Sequence, residues 1–187
     1  MKTNIYMVRH AESIYKPEDN DFDRPLSKKG KSDVKEIADF FVNLHIKKVF
    51  SSPYIRALRT VEGVARTENL DIELINDFRE RKVANEHIED FMTFTENQWY
   101  DFNYKLEGGE SLKQVQSRSI KKLKYILEGH KNQNIVIGTH GTLLGVTLNY
   151  FNQKYNYEFW KTIEMPDIFL LSFNNKKLEF IKNIEFD

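Results

Sequence analysis

The order of hydrophobic patterns along the chain constrains its fold most. Short apolar runs rich in β-branched and aromatic residues alternate with longer segments whose apolar positions recur every three or four residues. Asn4-Ile5-Tyr6-Met7-Val8 reads as a buried strand. After a polar loop through Asp19, Asn20, Asp21 and Pro25, Ser27 can cap a helix whose stripe is Val34, Ile37, Ala38 and Phe41. Lys48–Ser51 is a second strand. The next helix carries Pro53 in its first turn and buries Ala57, Leu58, Val61, Val64 and Ala65. Asp71–Ile75 alternates like a third strand. A helix from Ser111 to about Glu128, a β-branched strand at Ile135–Gly138 and a helix over Thr142–Tyr150 follow. Ile168–Phe173 and Leu178–Ile184 flank an Asn174–Lys177 turn as a terminal hairpin.

Strand–helix alternation predicts an α/β fold: a three-layer α/β/α sandwich with a mostly parallel central sheet, to which the hairpin adds antiparallel edge strands. No repeat or linker divides the chain, so residues 1–187 read as a single domain, a length sufficient to bury a core without staples. Residues 76–110 break the pattern. They hold seven aromatics (Phe78, Phe91, Phe94, Trp99, Tyr100, Phe102 and Tyr104), a poorly periodic helix around Ile88–Phe102, and a closing Gly108-Gly109. They are expected to form a small helical cap inserted in the domain.

Composition narrows the function. Lys and Arg total 28 against 28 Asp and Glu, so no net field draws the chain to nucleic acid or to an anionic membrane. The absence of cysteine excludes a disulfide scaffold, a thiolate nucleophile and Cys-ligated zinc. No apolar run reaches the roughly 20 residues of a membrane span, and Met1–Asn4 is not followed by a signal-peptide core. A cytoplasmic enzyme or binding domain is the expectation.

Ligands of α/β sheets bind at the carboxyl ends of strands. The first strand delivers Arg9 and His10. The second delivers Ser51-Ser52-Pro53 with Arg56 a turn later, and the third Arg79 and Glu80. The strand ending at Gly138 delivers Thr139-His140-Gly141-Thr142. Singly, each residue reads as a surface charge or a capping group. Glu80 lies in an Arg79–Lys82 charge cluster of the kind usually solvated. Together, two imidazoles and several guanidiniums at successive strand ends suit a phosphoryl group, whose oxygens need charge-assisted donors. A helix opening at Gly141 would add its N–H groups. His45, His87 and His130 read as surface residues, and the five histidines lack a zinc spacing.

The sequence resembles the histidine phosphatase superfamily, also called phosphoglycerate mutase-like. Val8-Arg9-His10-Ala11-Glu12-Ser13 looks like its Arg-His-Gly signature, and Ser51–Thr60 its Ser-Ser-Pro…Arg-Ala…Thr segment. Phe78-Arg79-Glu80 is similar to its Leu-x-Glu, Gly108–Leu112 to its Gly-Gly-Glu-Ser helix start, and Gly138–Gly141 to its second-histidine motif. The resemblance implies that His10 is the nucleophile, that Arg9, Arg56 and His140 bind phosphate, and that Glu80 donates a proton to the leaving oxygen. Ser13, Lys16, Gly141 and Thr142 are expected to contribute to substrate binding, and the resemblance implies no metal and no cofactor. Three positions depart from the family: Ala11 replaces a glycine, Lys16 stands where an asparagine is usual, and Arg81–Asn85 replaces a glycine-rich stretch.

Residues 76–110 carry nine acids and four bases. A lid made for a small polyanion should carry more bases, and that of the mutases is longer, so a phosphatase of the histidine acid type, acting on a small phosphorylated metabolite, is favoured over a phosphoglycerate mutase. A non-catalytic phospho-ligand-binding domain is the third reading. The oligomeric state is left open. Most of the lid aromatics should pin it to the body.

Overall fold

The computed structural model describes residues 2–16, 20–85 and 88–185. Asp19, Glu86 and His87 fall outside them. The chain forms β1 (Lys2–Arg9), α1 (Lys28–Phe41), β2 (Ile46–Ser51), α2 (Ile55–Thr67), β3 (Ile72–Leu74), α3 (Phe91–Tyr100), α4 (Leu112–Gly129), β4 (Asn134–Thr139), α5 (Gly141–Phe151), α6 (Tyr157–Thr162), β5 (Asp167–Asn174) and β6 (Lys177–Ile184). One six-stranded sheet has the order β3-β2-β4-β1-β5-β6. β3, β2, β4 and β1 run parallel, and β5 and β6 are antiparallel to their neighbours. The expected α/β architecture is therefore present. Only β6 of the hairpin is an edge, since β5 pairs β1 along its full length and is buried nearly throughout.

Successive strand residues point to opposite faces, and β1 supplies both. Ile5 and Met7 join Leu112, Val115, Leu123 and Ile126 of α4 and Leu143, Leu144 and Val146 of α5 in one core. Tyr6 and Val8 join Ile37 and Phe41 of α1 and Val61, Val64 and Ala65 of α2 in the other. Two cores on one sheet make three layers. Each fully buried aliphatic or aromatic side chain contributes about 1.5–3 kcal/mol.

Helix starts follow the capping signals. Ser27 Oγ accepts the Gly30 N–H, and Ser111 with Gln114 forms a reciprocal capping box. α2 differs from expectation. It begins at Ile55 with Tyr54 as an N-cap that offers no side-chain bond, so Pro53 lies outside the first turn. The helix expected at 88–102 is shorter, because the Asp90 carboxylate caps it by accepting the Thr93 N–H. α6 has a single turn and a half and no legible period. Among the described residues, no helix is long and apolar enough to cross a membrane.

Candidate active site

The ladder between β1 and β4 sets the centre of the site. Arg9 pairs with Thr139, so His10 and His140 each leave a strand end at the same level. The His10 N–H donates to the Thr139 carbonyl at 2.9 Å, and the Ser52 N–H to the Gly138 carbonyl at 2.9 Å. The two imidazoles meet edge to face, with ring centroids 5.2 Å apart. Gly138 lets α2 close in: a Cβ there would lie 3.0 Å from the Ala57 carbonyl oxygen. Thr60 ties the first turn of α2 to the loop that follows His10. Its hydroxyl donates to the Arg56 carbonyl at 2.7 Å and accepts the Ala11 N–H at 3.0 Å.

Hydrogen-bond partners assign the His10 tautomer. Nδ1 faces the Ala11 carbonyl oxygen at 2.8 Å and must carry the proton. Nε2 then presents its lone pair, which accepts Arg56 Nε–H at 3.2 Å. Burial, followed by the charge of Arg56, drives the His10 pKa down to about 3, so the ring is neutral at physiological pH. His140 is fully buried and, with burial again the largest cause, held well below the usual histidine value. Its Nε2 shares a hydrogen bond with Ser52 Oγ at 2.8 Å, and its Nδ1 is buried without a partner. Arg9 donates through Nη1 to the Ile163 carbonyl, and its Nε is likewise unpartnered. Burial lowers its pKa, opposed by the charges of Glu80 and Asp167.

Glu80 approaches from the segment after β3. Its Oε1 accepts the Arg81 N–H at 2.8 Å and its Oε2 the Thr142 N–H at 2.9 Å, so the first turn of α5 orients the carboxylate. The charge of Glu80 is felt at Arg9, Arg56 and Tyr54. His10, Arg9, Arg56, His140 and Glu80 are thus gathered at one end of the sheet.

The other expected ligands sit differently. Thr142 is fully occupied, its N–H on Glu80 and its hydroxyl accepting from Arg81 Nη1, so this N–H is not aimed at a bound anion. Gly141 lies against Arg9, where a Cβ would fall 3.0 Å from the guanidinium carbon. Ser13 Oγ accepts from Arg24 at 2.9 Å. Lys16 is exposed, and among the described residues its side chain makes no hydrogen bond or ion pair to these groups.

Four charged residues went unread in the sequence. Arg81, placed by its charge cluster on a solvated face, is 5% exposed, bridging Thr142 and Thr95 (2.9 Å to the latter) beside the rings of Phe91 and Phe94. Arg118 of α4 donates to the carbonyls of Asp77, Arg79 and Glu80 and pairs with Glu110. Arg24 and Asp21 lie in the loop before α1, joined at 2.9 Å. A helix period marks apolar faces and leaves no mark for these contacts. The replacement for the glycine-rich stretch is explained. Residues 82–85 run beneath Gly108-Gly109, where a Gly109 Cβ would fall 2.1 Å from the Val83 carbonyl oxygen and Gly108 has φ +70°.

The profile of the histidine phosphatase superfamily (branch 1) matches residues 5–181. Among curated proteins, the chain is similar to phosphoserine phosphatase 1 of Hydrogenobacter thermophilus, with 29% identity over 171 residues and 79% of each chain covered. It is 28% identical over 154 residues to a Salmonella typhi protein named probable phosphoglycerate mutase, covering 75% of this chain and 71% of that one. Among solved structures, a mycobacterial glucosyl-3-phosphoglycerate phosphatase superposes with a TM-score of 0.78 at 16% identity, covering 98% of this chain and 97% of that one. Phosphoserine phosphatase of Entamoeba histolytica, a His-to-Ala mutant with phosphoserine, superposes with a TM-score of 0.77 at 16% identity, covering 98% and 96%. At these identities the superpositions establish the fold.

Proposed function

Since this chain belongs to the histidine phosphatase superfamily, we propose that it is a phosphomonoester hydrolase acting through phospho-His10, without a metal, on a small phosphorylated metabolite. One observation carries the proposal: a neutral imidazole whose Nδ1–H is fixed on the Ala11 carbonyl presents the Nε2 lone pair among Arg56, Arg9 and His140. In this reading Nε2 attacks phosphorus, and the bond from phosphorus to the ester oxygen breaks. The Glu80 carboxyl gives its proton to the departing oxygen. Glu80, now a carboxylate, takes a proton from water as that water attacks the phosphohistidine. The P–N bond breaks, phosphate leaves, and neutral His10 returns. Arg9, Arg56 and His140 stabilise the equatorial oxygens, the task a metal performs elsewhere. Thr142 and Gly141 act through Glu80 and Arg9.

Residues 76–110 are proposed as the cap, which Phe78 and Trp99 anchor in the core beside α4 and α5. The phosphatase reading gains support from three of the four bases of this segment. Arg79 is committed to Glu110, Arg81 to two threonines and Lys82 to Asn85. A mutase would need cations free to grip the second anionic group of its substrate.

Hydrolysis of p-nitrophenyl phosphate in EDTA is the test. Activity that disappears in His10→Ala supports the reading, and activity that survives this change removes His10 as nucleophile. Glu80→Gln should cost roughly 100- to 10,000-fold in kcat on alkyl phosphates. Equal rates for that variant and the parent would take Glu80 out of the reaction.

A further inference from the structure

We infer that Arg24 is a further phosphate-binding arginine of this site and that the Asp21 carboxylate occupies its phosphate position at rest. The inference rests on the phosphatase reading and deepens it. The Asp21 carboxylate is shared by two guanidiniums. Oδ1 accepts from Arg24 Nη1 at 2.9 Å and Oδ2 from Arg56 Nη2 at 3.2 Å. The Asp21 carbonyl oxygen accepts from Arg56 Nη1 at 2.6 Å. The third donor of the same Arg56, Nε–H, is the one on His10 Nε2. An anion that takes one N–H from each of two guanidiniums, one of which also holds the His10 Nε2 nitrogen, occupies the position a phosphoryl group needs.

Exposure tells which partner is free to leave. The Asp21 side chain is 53% exposed, whereas those of Arg24 and Arg56 are 19% and 3% exposed. The anion lies on the solvent side and the cations line the wall. The exposed carboxylate is partly screened by water, which weakens its hold on the two guanidiniums, so a phosphate dianion can displace it. Arg24 keeps its place without Asp21. Nη2 donates to Ser13 Oγ at 2.9 Å, Nε reaches the Ile14 carbonyl at 3.4 Å, and the guanidinium lies 5.0 Å from the Tyr15 ring centre. Its charge already acts on His10, where it opposes protonation.

The competing role for Arg24 is that of a counter-ion that only neutralises Asp21. A double-mutant cycle separates the two. Asp21→Ala, Arg24→Gln and the pair are assayed for p-nitrophenyl phosphate turnover and for orthovanadate binding by titration calorimetry, with melting curves confirming the fold. Asp21→Ala should tighten vanadate about 3- to 10-fold by removing a competitor. In the Asp21→Ala background, Arg24→Gln should still cost about 10- to 100-fold in kcat/KM and in vanadate affinity, the worth of a charged hydrogen bond. Arg24→Lys should recover only part of it, because a point charge replaces a fork. If Arg24→Gln costs less than twofold once Asp21 is gone, while His10-dependent turnover persists, the assignment of Arg24 falls and the phosphatase reading stands. If the parent turns nothing over, the phosphatase reading falls, and vanadate titration decides Arg24 by the same cycle. Vanadate that fails to bind the parent overturns the assignment of Arg24, and turnover alone decides the phosphatase reading.

Discussion

Arg118 holds Glu80 by its backbone: Nη2 donates to the Glu80 carbonyl at 3.3 Å while Nη1 takes the carbonyls of Asp77 at 2.6 Å and Arg79 at 2.9 Å. The guanidinium is fixed by Glu110, 2.9 Å from Nε and 3.1 Å from Nη2. One α4 residue therefore sets where the segment after β3 delivers its carboxylate. Arg118→Met should lower kcat more on alkyl phosphates than on p-nitrophenyl phosphate, because only the poorer leaving group needs the Glu80 proton. Stability should fall by about 3 kcal/mol as Glu110 loses its main partner. Equal losses on both substrates would make Arg118 a structural tie alone.

The low His10 pKa makes a pH prediction. The folded ring protonates near pH 3, whereas in the unfolded chain it does so near 6.5. Below pH 6.5 the unfolded state takes up a proton that the native state refuses, so stability falls as pH falls. At pH 5 this contribution amounts to about 2 kcal/mol, and it is absent above 6.5. Asp167 works in the opposite sense. Burial raises it to about 6, so between about 4 and 6 the native state holds the extra proton. Urea midpoints from pH 8 to 4 in the parent and in Asp167→Asn should diverge below pH 6, the variant losing the acid-side compensation. An NMR titration should show His10 neutral at pH 5, and a ring that protonates near 6.5 would refute the assignment.

Gly141→Ala probes the contact with Arg9. The new methyl group would sit 3.0 Å from Cζ and Nε and 3.2 Å from Nη2. The end of a flexible side chain can move aside, so melting should shift little. Displacing that donor should cost about 10-fold in kcat/KM. An unchanged kcat/KM would show that Arg9 stays in place or is dispensable.

Gly30→Ala tests a different kind of approach. A Cβ there would lie 2.2 Å from the Glu12 carbonyl oxygen, which is backbone and accepts the Ser27 N–H at 2.9 Å. The clash falls two residues beyond His10. Unfolding free energy should drop by about 1–3 kcal/mol, read from chemical denaturation.

The layers, the mostly parallel sheet with its antiparallel hairpin and the five converging groups were legible because each rests on a local signal. Ile5 and Met7 alternate with Tyr6 and Val8, Ser27 and Ser111 cap, and His10, Arg56, Glu80 and His140 follow strands. Arg81 and Arg118 were illegible for a shared reason. Both satisfy carbonyls or hydroxyls contributed by remote segments, and such acceptors leave no trace in a pattern of apolar residues. Thr142 was read as an anion ligand because a helix start is a general donor. Nothing in one sequence could show that the Glu80 carboxylate already takes its N–H.

The Arg9–Thr139 rung has an evolutionary reach. Because the two imidazoles hang from paired strand ends, their separation is inherited from a backbone ladder of about 4.8 Å spacing. Because residues 76–110 take no part in that rung, sequence change there can alter the segment while the paired strand ends keep the two rings in place. Under the proposed function, transplanting that segment between relatives should exchange selectivity and leave the proposed phosphohistidine route intact.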